Sequence, residues 1–229
     1  MQGILHVDKP AGWTSFDVVN YVRRIVATVE GKKPKNCKVG HSGTLDPFAT
    51  GLLILLVGKE YTRRASEFSK LDKTYEMTMR LGQISTTGDP EGKISDVSDR
   101  IPIKAEIELA LSQFCGQIQQ VPPAFSAIKV NGVRAYKLAR DGKEVVIEAR
   151  PVTIHRFELL EYNYPEVQLV ADVSSGTYIR TLVEDLGQAL ATGAYTTALR
   201  RTSIGRHSVE GAPLPSILNP ETLAELLIS

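Results

Sequence analysis

The sequence predicts an α+β protein, and two kinds of periodicity in the chain lead to that prediction. Residues 73–81 alternate between apolar and polar side chains, as a half-buried strand does. Residues 15–29 instead repeat valine and isoleucine at helical spacing. Strand-like and helix-like segments follow one another irregularly, with hairpin signals between them, and this favours a mixed sheet over a regular βαβ array.

The predicted elements follow in order from the N-terminus. A strand at 4–7 leads through a loop to a helix capped by Ser15, and the apolar run 52–57 is a short buried strand. Residues 83–93, beyond the 73–81 strand, are polar and rich in turn formers. Further predicted elements are helices at 104–115, 133–141, 177–190 and over the last nine residues, a stop at Gly116, a turn at Asn131-Gly132 and a strand at 167–173.

The composition is that of an ordinary globular protein, with 42% hydrophobic and 23% charged residues. The longest aliphatic run is far shorter than a membrane span, and the N-terminus lacks a signal-peptide pattern, so a soluble cytoplasmic protein is expected. The two cysteines are isolated and the four histidines lack metal-ligand spacing. We therefore expect neither a metal site nor a disulfide framework.

Positive charge is concentrated in two segments although the net charge is only +1. Residues 1–80 contain 13 Lys/Arg against 8 Asp/Glu, and residues 129–150 contain 6 against 3. Local basic surface, more than total charge, governs binding to a phosphate backbone. These segments suit an RNA partner, although a solvated charged face is the more common explanation of each such cluster.

A glycine-rich stretch at residues 40–47 presents a single carboxylate, Asp46, directly before a proline. Pro47 disfavours helical backbone at Asp46, and Gly40 and Gly43 permit close approach or positive φ upstream. A stiff loop against the buried 52–57 strand suits a nucleophile. An ordinary Asp-Pro turn beside a strand is the alternative explanation of the same spacing.

Two further residues stand out from their local pattern. Arg180 follows Thr177, the predicted N-cap, so a cation lies in the first turn of a helix, where the helix dipole disfavours it. A facing anion would explain this arginine, and an exposed side chain covering apolar surface is the alternative. Tyr75 lies on the apolar face of its strand, where a plain core tyrosine is the simplest interpretation.

Several motifs, in order along nearly the whole chain, resemble those of the TruB family of tRNA pseudouridine-55 synthases. The stretch 40–47 (GHSGTLDP) resembles the catalytic G-H-x-G-T-L-D-P loop of the family, and residues 3–15 resemble its opening D-K-P-x-G-x-T-S. Further matches are 73–75 (KTY), 122–129 (PPAFSAIK), 176–180 (GTYIR) and 199–201 (LRR).

The resemblance implies the pseudouridine synthase fold, a long mixed, largely antiparallel sheet flanked by helices. It implies a catalytic domain over residues 1–210, within which residues 118–150 resemble an RNA-clasping insertion. Family members usually carry a C-terminal RNA-binding domain of the PUA type, and residues 211–229 are expected to form a short tail and helix in its place.

The resemblance also implies roles for individual residues. Asp46 would be the nucleophile, Arg180 would pair with it and keep it ionised, and Tyr75 would stack on the target base and take part in proton transfer. Lys9 matches a lysine near the site, where supporting the opening loop is the alternative to contacting substrate. Residues 58–63 depart from the G-x-x-T-K pattern of the family by one added residue and by Arg63 in place of the lysine. The implied substrate-binding residues are His41, Tyr178, Leu199, Lys9 and Arg63.

The expected function is isomerisation of uridine to pseudouridine at position 55, in the T-loop of tRNA, without a cofactor. The expected partner is the T-stem-loop, with no membrane, no obligatory protein partner and a monomeric enzyme. Two alternatives are a non-catalytic RNA-binding or tRNA-folding module and a nucleoside glycosidase. A glycosidase usually needs a second carboxylate, whereas these motifs offer an arginine. A guide-RNA-dependent relative is a further possibility, expected to need the C-terminal domain.

Overall fold

A computed structural model describes residues 1–126, 128–130, 132–143 and 145–228. The helices are α1 (Ser15–Glu30), α2 (Lys59–Arg63), α3 (Ala65–Ser69), α4 (Lys104–Phe114), α5 (Ala135–Arg140), α6 (Ile179–Ala189) and α7 (Pro220–Leu226). The strands are β1 (Gly3–Lys9), β2 (Val39–His41), β3 (Thr50–Val57), β4 (Lys73–Leu81), β5 (Gln83–Ser85), β6 (Ile94–Asp96), β7 (Gly116–Gln120), β8 (Lys129–Val130), β9 (Val133–Arg134), β10 (Arg150–Asn163), β11 (Glu166–Val173), β12 (Ala194–Ile204) and β13 (His207–Ser208).

The main sheet is mixed and largely antiparallel, with the strand order β1-β3-β12-β4-β11-β10-β7. β2 pairs with β3 and β13 with β12, both antiparallel. The parallel contact joins β12 to β3, where Arg200 lies opposite Thr50 and Arg201 opposite Gly51. The α+β prediction with a long mixed sheet is confirmed.

The chain divides into two compact units, one of Met1–Glu76 with Leu199–Ser229 and one of Met77–Ala198. In the first unit, alternate side chains of β3 enter two different cores. Leu53, Leu55 and Val57 pack with α1, whereas Leu52, Ile54 and Leu56 pack with Phe68 of α3. This two-sided burial explains why residues 52–57 are apolar without alternation.

The second unit is built on the antiparallel strands β11, β10 and β7. The inward residues of β11 and the apolar face of α6 are buried, and α4 packs on β10. Within the segment 118–150, a hairpin of β8 and β9 precedes the basic helix α5. Asn131 of the predicted Asn131-Gly132 turn lies outside the described residues, and Gly132 has a φ of 82°.

The structure corrects two predicted helix caps. Thr14, not Ser15, caps α1, because the Thr14 hydroxyl accepts the Asp17 amide proton and the Asp17 carboxylate accepts the Thr14 amide proton. Tyr178, not Thr177, is the N-cap of α6, because the Thr177 hydroxyl donates to the Ser174 carbonyl in the preceding turn.

The C-terminal segment packs into the first unit. Leu218 and Leu223 are buried in the core beneath α1, and Ile228 forms an antiparallel bridge with Ile4. α7 ends at Leu226, earlier than the predicted helix over the last nine residues. No helix among the described residues is long and apolar enough to cross a membrane.

Candidate functional site

The loop that carries Asp46 is held from both sides by the segment that follows β1. The Leu45 amide donates to the Ser15 hydroxyl at 2.8 Å, and that hydroxyl donates to the Leu45 carbonyl at 3.1 Å. The Gly12 amide donates to the Pro47 carbonyl at 2.8 Å. The residues on either side of Asp46 are therefore fixed by hydrogen bonds, which limits the directions that its carboxylate can take.

Lys9 is fully buried beneath this loop. Its Nζ donates to the carbonyls of Pro10 at 2.9 Å, Trp13 at 2.7 Å and Pro47 at 3.2 Å, so all three ammonium protons have acceptors. Burial lowers the pKa of Lys9 to about 8, while the Asp46 carboxylate acts in the opposite direction. These contacts favour a role in supporting the loop over direct contact with substrate.

Arg201 is a second buried cation under the same loop, and sequence analysis assigned no role to it. It is 1% exposed and donates to the carbonyls of Leu52 at 2.8 Å and Gly43 at 3.1 Å. Gly51 opposite it has a φ of +104°, and a Cβ at Gly51 would lie 2.7 Å from the Arg201 backbone nitrogen. Glycine is thus required where β12 meets β3.

Arg200, the neighbour of Arg201, points to the opposite face of β12, as strand alternation requires. It forms two hydrogen bonds with the Asp8 carboxylate, at 2.7 and 3.0 Å. The Leu199-Arg200-Arg201 motif therefore contributes one structural cation to each face. A pair of adjacent arginines in a strand was the signal that could have indicated this arrangement.

The remaining predicted residues of the first unit differ in exposure. Tyr75 of β4 and Leu199 of β12 are each 7% exposed. Burial and the Arg201 charge lower the pKa of His41, at the end of β2, so that its imidazole is neutral at pH 7. Arg63, the last residue of α2, is exposed.

Arg180 belongs to the second unit, in the first turn of α6 as predicted. It is 4% exposed and lies 3.2 Å from the Asp89 carboxylate, and it donates to the carbonyls of Thr87 at 2.7 Å and Phe125 at 2.9 Å. Asp89 is one anion that faces this cation, and sequence analysis missed it within the turn-rich segment 83–93. The expected pairing of Arg180 with Asp46 stays a prediction.

Glu184 adds a second carboxylate beside Arg180, one helical turn further along α6. Burial raises the pKa of Glu184 to about 6, with Arg180 acting to lower it and Asp185 and Asp89 to raise it. Gly88 lies against it, since a Cβ at Gly88 would come within 2.7 Å of Glu184 Oε1. A buried arginine here faces two carboxylates on different segments.

Tyr178, the other predicted residue of the second unit, is the N-cap of α6, and its main chain pairs with the Gln120 side chain. Among the described residues, no three His, Cys, Asp or Glu side chains are grouped so as to hold a metal ion. One unit carries the Asp46 carboxylate on a hydrogen-bonded loop, and the other carries the buried, hydrogen-bonded guanidinium of Arg180.

Comparison with known proteins decides the family. The family model for the N-terminal domain of TruB family pseudouridylate synthases matches residues 30–179, which include the Asp46 loop. The chain belongs to the TruB family. Its class is therefore that of a pseudouridylate synthase, an isomerase, and the predicted family and enzyme class are confirmed.

Relatives in the TruB family are similar over most of the chain. The tRNA pseudouridine synthase B of Arthrobacter sp. (strain FB24) is 46% identical over 219 residues, which cover 93% of this chain and 69% of that protein. The protein of the same name from Bacteroides fragilis (strain YCH46) is 44% identical, over 97% of this chain and 92% of its own length.

Solved structures support the same fold. The chain aligns with Cbf5 in a crystal structure of a Cbf5-Nop10-Gar1 complex at 28% identity and a TM-score of 0.64, covering 90% of this chain. It aligns at 26% identity and a TM-score of 0.62 with a chain of an H/ACA RNP bound to a substrate RNA containing 2'-deoxyuridine, again over 90% of this chain. It spans about half the length of those chains, 50% and 48%.

Proposed function

We propose that this TruB family enzyme converts uridine to pseudouridine at position 55, in the T-loop of tRNA, with Asp46 as the nucleophile. The observation that carries the proposal is the set of hydrogen bonds that hold the backbone on both sides of Asp46. Its loop has the family sequence, and three backbone groups next to Asp46 are tied to Gly12, Ser15 and Lys9. The substrate is inferred from the tRNA pseudouridine synthase B relatives, 44–46% identical to this chain.

The reaction leaves the atomic composition of the nucleoside unchanged. The bond between the ribose C1' and uracil N1 breaks, a bond between C1' and uracil C5 forms, the C5 proton leaves, and N1 gains a proton. No electron is gained or lost overall, so the step needs no redox partner. The target base must first leave the helical stack, at a cost of a few kcal/mol, before Asp46 can act on the nucleoside.

Tyr75 and Arg180 have proposed roles on either side of this step. Tyr75 supports the extruded base with its ring and transfers a proton with its hydroxyl. Arg180 supplies the positive charge that keeps the nucleophile ionised and oriented. Its rigid attachment to Thr87 and Phe125 supports this assignment, because a charge held by fixed hydrogen bonds needs little reorganisation during the reaction.

RNA binding is assigned to the exposed basic segments. Lys32, Lys33, Lys35 and Lys38 precede the Asp46 loop and are exposed, as are Arg134, Lys137 and Arg140 around α5. Lysine and arginine on such surfaces contact phosphates without reading sequence, and they position the RNA for the site. We include the predicted insertion 118–150 in this surface for that reason.

An unmodified tRNA transcript incubated with the purified protein tests the proposal and both alternatives. The product is digested and the nucleosides are separated by mass after a pseudouridine-specific chemical label. We expect one pseudouridine per tRNA, at position 55, and none in a transcript with cytidine at that position. Released uracil would instead identify a glycosidase, and binding without any change in the RNA would identify a folding module.

A further inference from the structure

Gln120, the last residue of β7, forms an unusual pair with the main chain of Tyr178. Its side-chain Nε2 donates to the Tyr178 carbonyl at 3.1 Å, and the Tyr178 amide donates to its Oε1 at 2.8 Å. Gln120 is 2% exposed, and the two hydrogen bonds that it forms with the half-buried Tyr178 are partly buried. The side-chain amide thus contacts the Tyr178 backbone in the way that a neighbouring strand would.

The position of this pair matters because Tyr178 is the N-cap of α6. No side chain of the helix itself caps this end, and the Tyr178 carbonyl also accepts the first helical hydrogen bond, from the Leu182 amide at 3.1 Å. The main chain at the start of α6 is therefore hydrogen-bonded to a residue from another element. Arg180 follows two residues later, so its side chain is carried by the same turn.

A second contact joins the same two segments. Five residues after Gln120, the Phe125 carbonyl accepts a hydrogen bond from Arg180 Nη2 at 2.9 Å. The segment 120–125 consequently holds both the backbone before Arg180 and the guanidinium itself. Thr87 and Asp89 hold the guanidinium on another side.

We propose that Gln120 is a positioning residue, which sets the backbone at Tyr178 and so places the Arg180 guanidinium for isomerisation. This inference rests on the function proposed above. Glutamine suits the role because its amide offers one donor group and one acceptor group together. An ionised glutamate lacks the donor, and alanine lacks both, so either substitution removes at least one of the two hydrogen bonds between residue 120 and the Tyr178 main chain.

Four variants test the proposal. Gln120→Ala and Gln120→Glu break the pair, while Gln117→Ala and Gln117→Glu make the same changes on the exposed part of β7. Rates of pseudouridine formation, measured at limiting and at saturating tRNA concentrations, give kcat and KM separately. We expect both Gln120 variants to lose about 10- to 100-fold in kcat with KM changed by less than about threefold, because a misplaced group slows the reaction without removing phosphate contacts. Both Gln117 variants should keep the wild-type kcat.

Two readouts separate positioning from a general structural role. Burial at position 120 should raise the pKa of the introduced carboxyl group, and protonated glutamate regains a donor for the Tyr178 carbonyl. The kcat of Gln120→Glu relative to wild type should therefore rise as the pH is lowered from 8 to 5. Hydrogen exchange of the Tyr178 amide should be about tenfold faster in Gln120→Ala, since that amide loses its acceptor. Thermal melting of each variant identifies any global unfolding.

Three results would overturn the inference. They are a wild-type kcat in Gln120→Ala, a loss confined to KM, and unchanged exchange of the Tyr178 amide. A pH-independent kcat ratio for Gln120→Glu would reject the role of the donor. If wild type and the Gln117 variants form no pseudouridine, the proposed function fails instead, and Tyr178 exchange alone decides whether Gln120 fixes the N-cap.

Discussion

Buried charged residues give the Asp46 loop its firm attachment. Lys9 and Arg201 are each at most 1% exposed, and their donors reach backbone carbonyls of the loop and of β3. A buried cation is costly unless its protons are bonded, and here the carbonyls supply those acceptors. The hydrogen bonds that make the burial of Lys9 and Arg201 tolerable also hold the Asp46 loop in place.

Replacing Lys9 tests this link. In Lys9→Met the chain keeps an apolar stem but leaves three carbonyls without the ammonium, one of them that of Pro47. We expect a loss of about 1–3 kcal/mol in unfolding free energy and a kcat at least about tenfold lower, since the nucleophile's loop loosens. Urea unfolding and single-turnover kinetics measure both, with the exposed Lys70→Met as control. An unchanged kcat would show that the loop does not depend on Lys9.

Glu184 makes a pH-dependent contribution to stability. Its pKa in the folded protein is about 6, above the ordinary value for glutamate, so between about pH 4.3 and 6 the folded state holds more protons than the unfolded state. The contribution of Glu184 to the stability of the wild type should therefore fall as the pH rises through this window. Glu184→Gln removes this loss, so its melting temperature should exceed that of wild type increasingly from pH 4.5 to 6.5 and then level off. Glu225→Gln, on an exposed part of α7, should show no such trend.

At the scale of elements, hydrophobic periodicity predicted the type and bounds of an element well wherever one face of that element is buried. β4 was predicted with its observed bounds, because strict alternation from Lys73 to Leu81 matches a sheet with one apolar side. β10 and β12 were not predicted, since exposed polar residues and paired arginines interrupt their alternation. The predicted N-cap of α1 was wrong by one residue because two neighbouring residues, Thr14 and Ser15, both carry a hydroxyl that could cap the helix. Local sequence does not show which hydroxyl has a distant partner such as Leu45.

The site was predicted unevenly for the same reason. Motif resemblance indicated Asp46, Tyr75 and Arg180, whose assigned roles stay predictions. Asp89 and Gln120 were missed because each lies in an ordinary polar context in sequence and acquires its importance from a partner far along the chain. Single-sequence patterns report local spacing, and these contacts span 91 and 58 residues.

α7 was expected to be part of a short C-terminal tail. Its packing instead predicts that truncating its buried side chain lowers the unfolding free energy more than a change in an exposed tail would. Leu223 is fully buried in the core with α1, whereas Leu226 is 37% exposed. We expect Leu223→Ala to cost about 2–5 kcal/mol of unfolding free energy, because it leaves a cavity in that core. Leu226→Ala should cost much less. Equal and small losses in chemical denaturation would mean that α7 contributes little to the fold.

At the scale of the whole molecule, charge is nearly balanced but unevenly placed. The exposed lysines at 32–38 and the basic residues around α5 predict phosphate contacts despite a net charge of only +1. Affinity for tRNA should fall linearly with salt on a log–log plot, with a slope of about −0.7 to −0.9 per phosphate contacted. Fluorescence titrations between 50 and 300 mM salt measure the slope. Substitutions that remove the positive charge of Lys33 or Lys35 should make the slope less steep. A flat dependence would favour a small-molecule substrate.

A carboxylate on a hydrogen-bonded loop is proposed to do the chemistry, while the exposed basic residues at 32–38 and around α5 are proposed to bind the RNA. Asp46→Asn separates the two, because asparagine keeps the shape and removes the nucleophilic charge. The most direct measurement follows pseudouridine formation and tRNA binding by this variant in parallel, on the same transcript. We predict no isomerisation with an affinity within severalfold of wild type. Turnover above background in the purified Asp46→Asn variant would contradict the account.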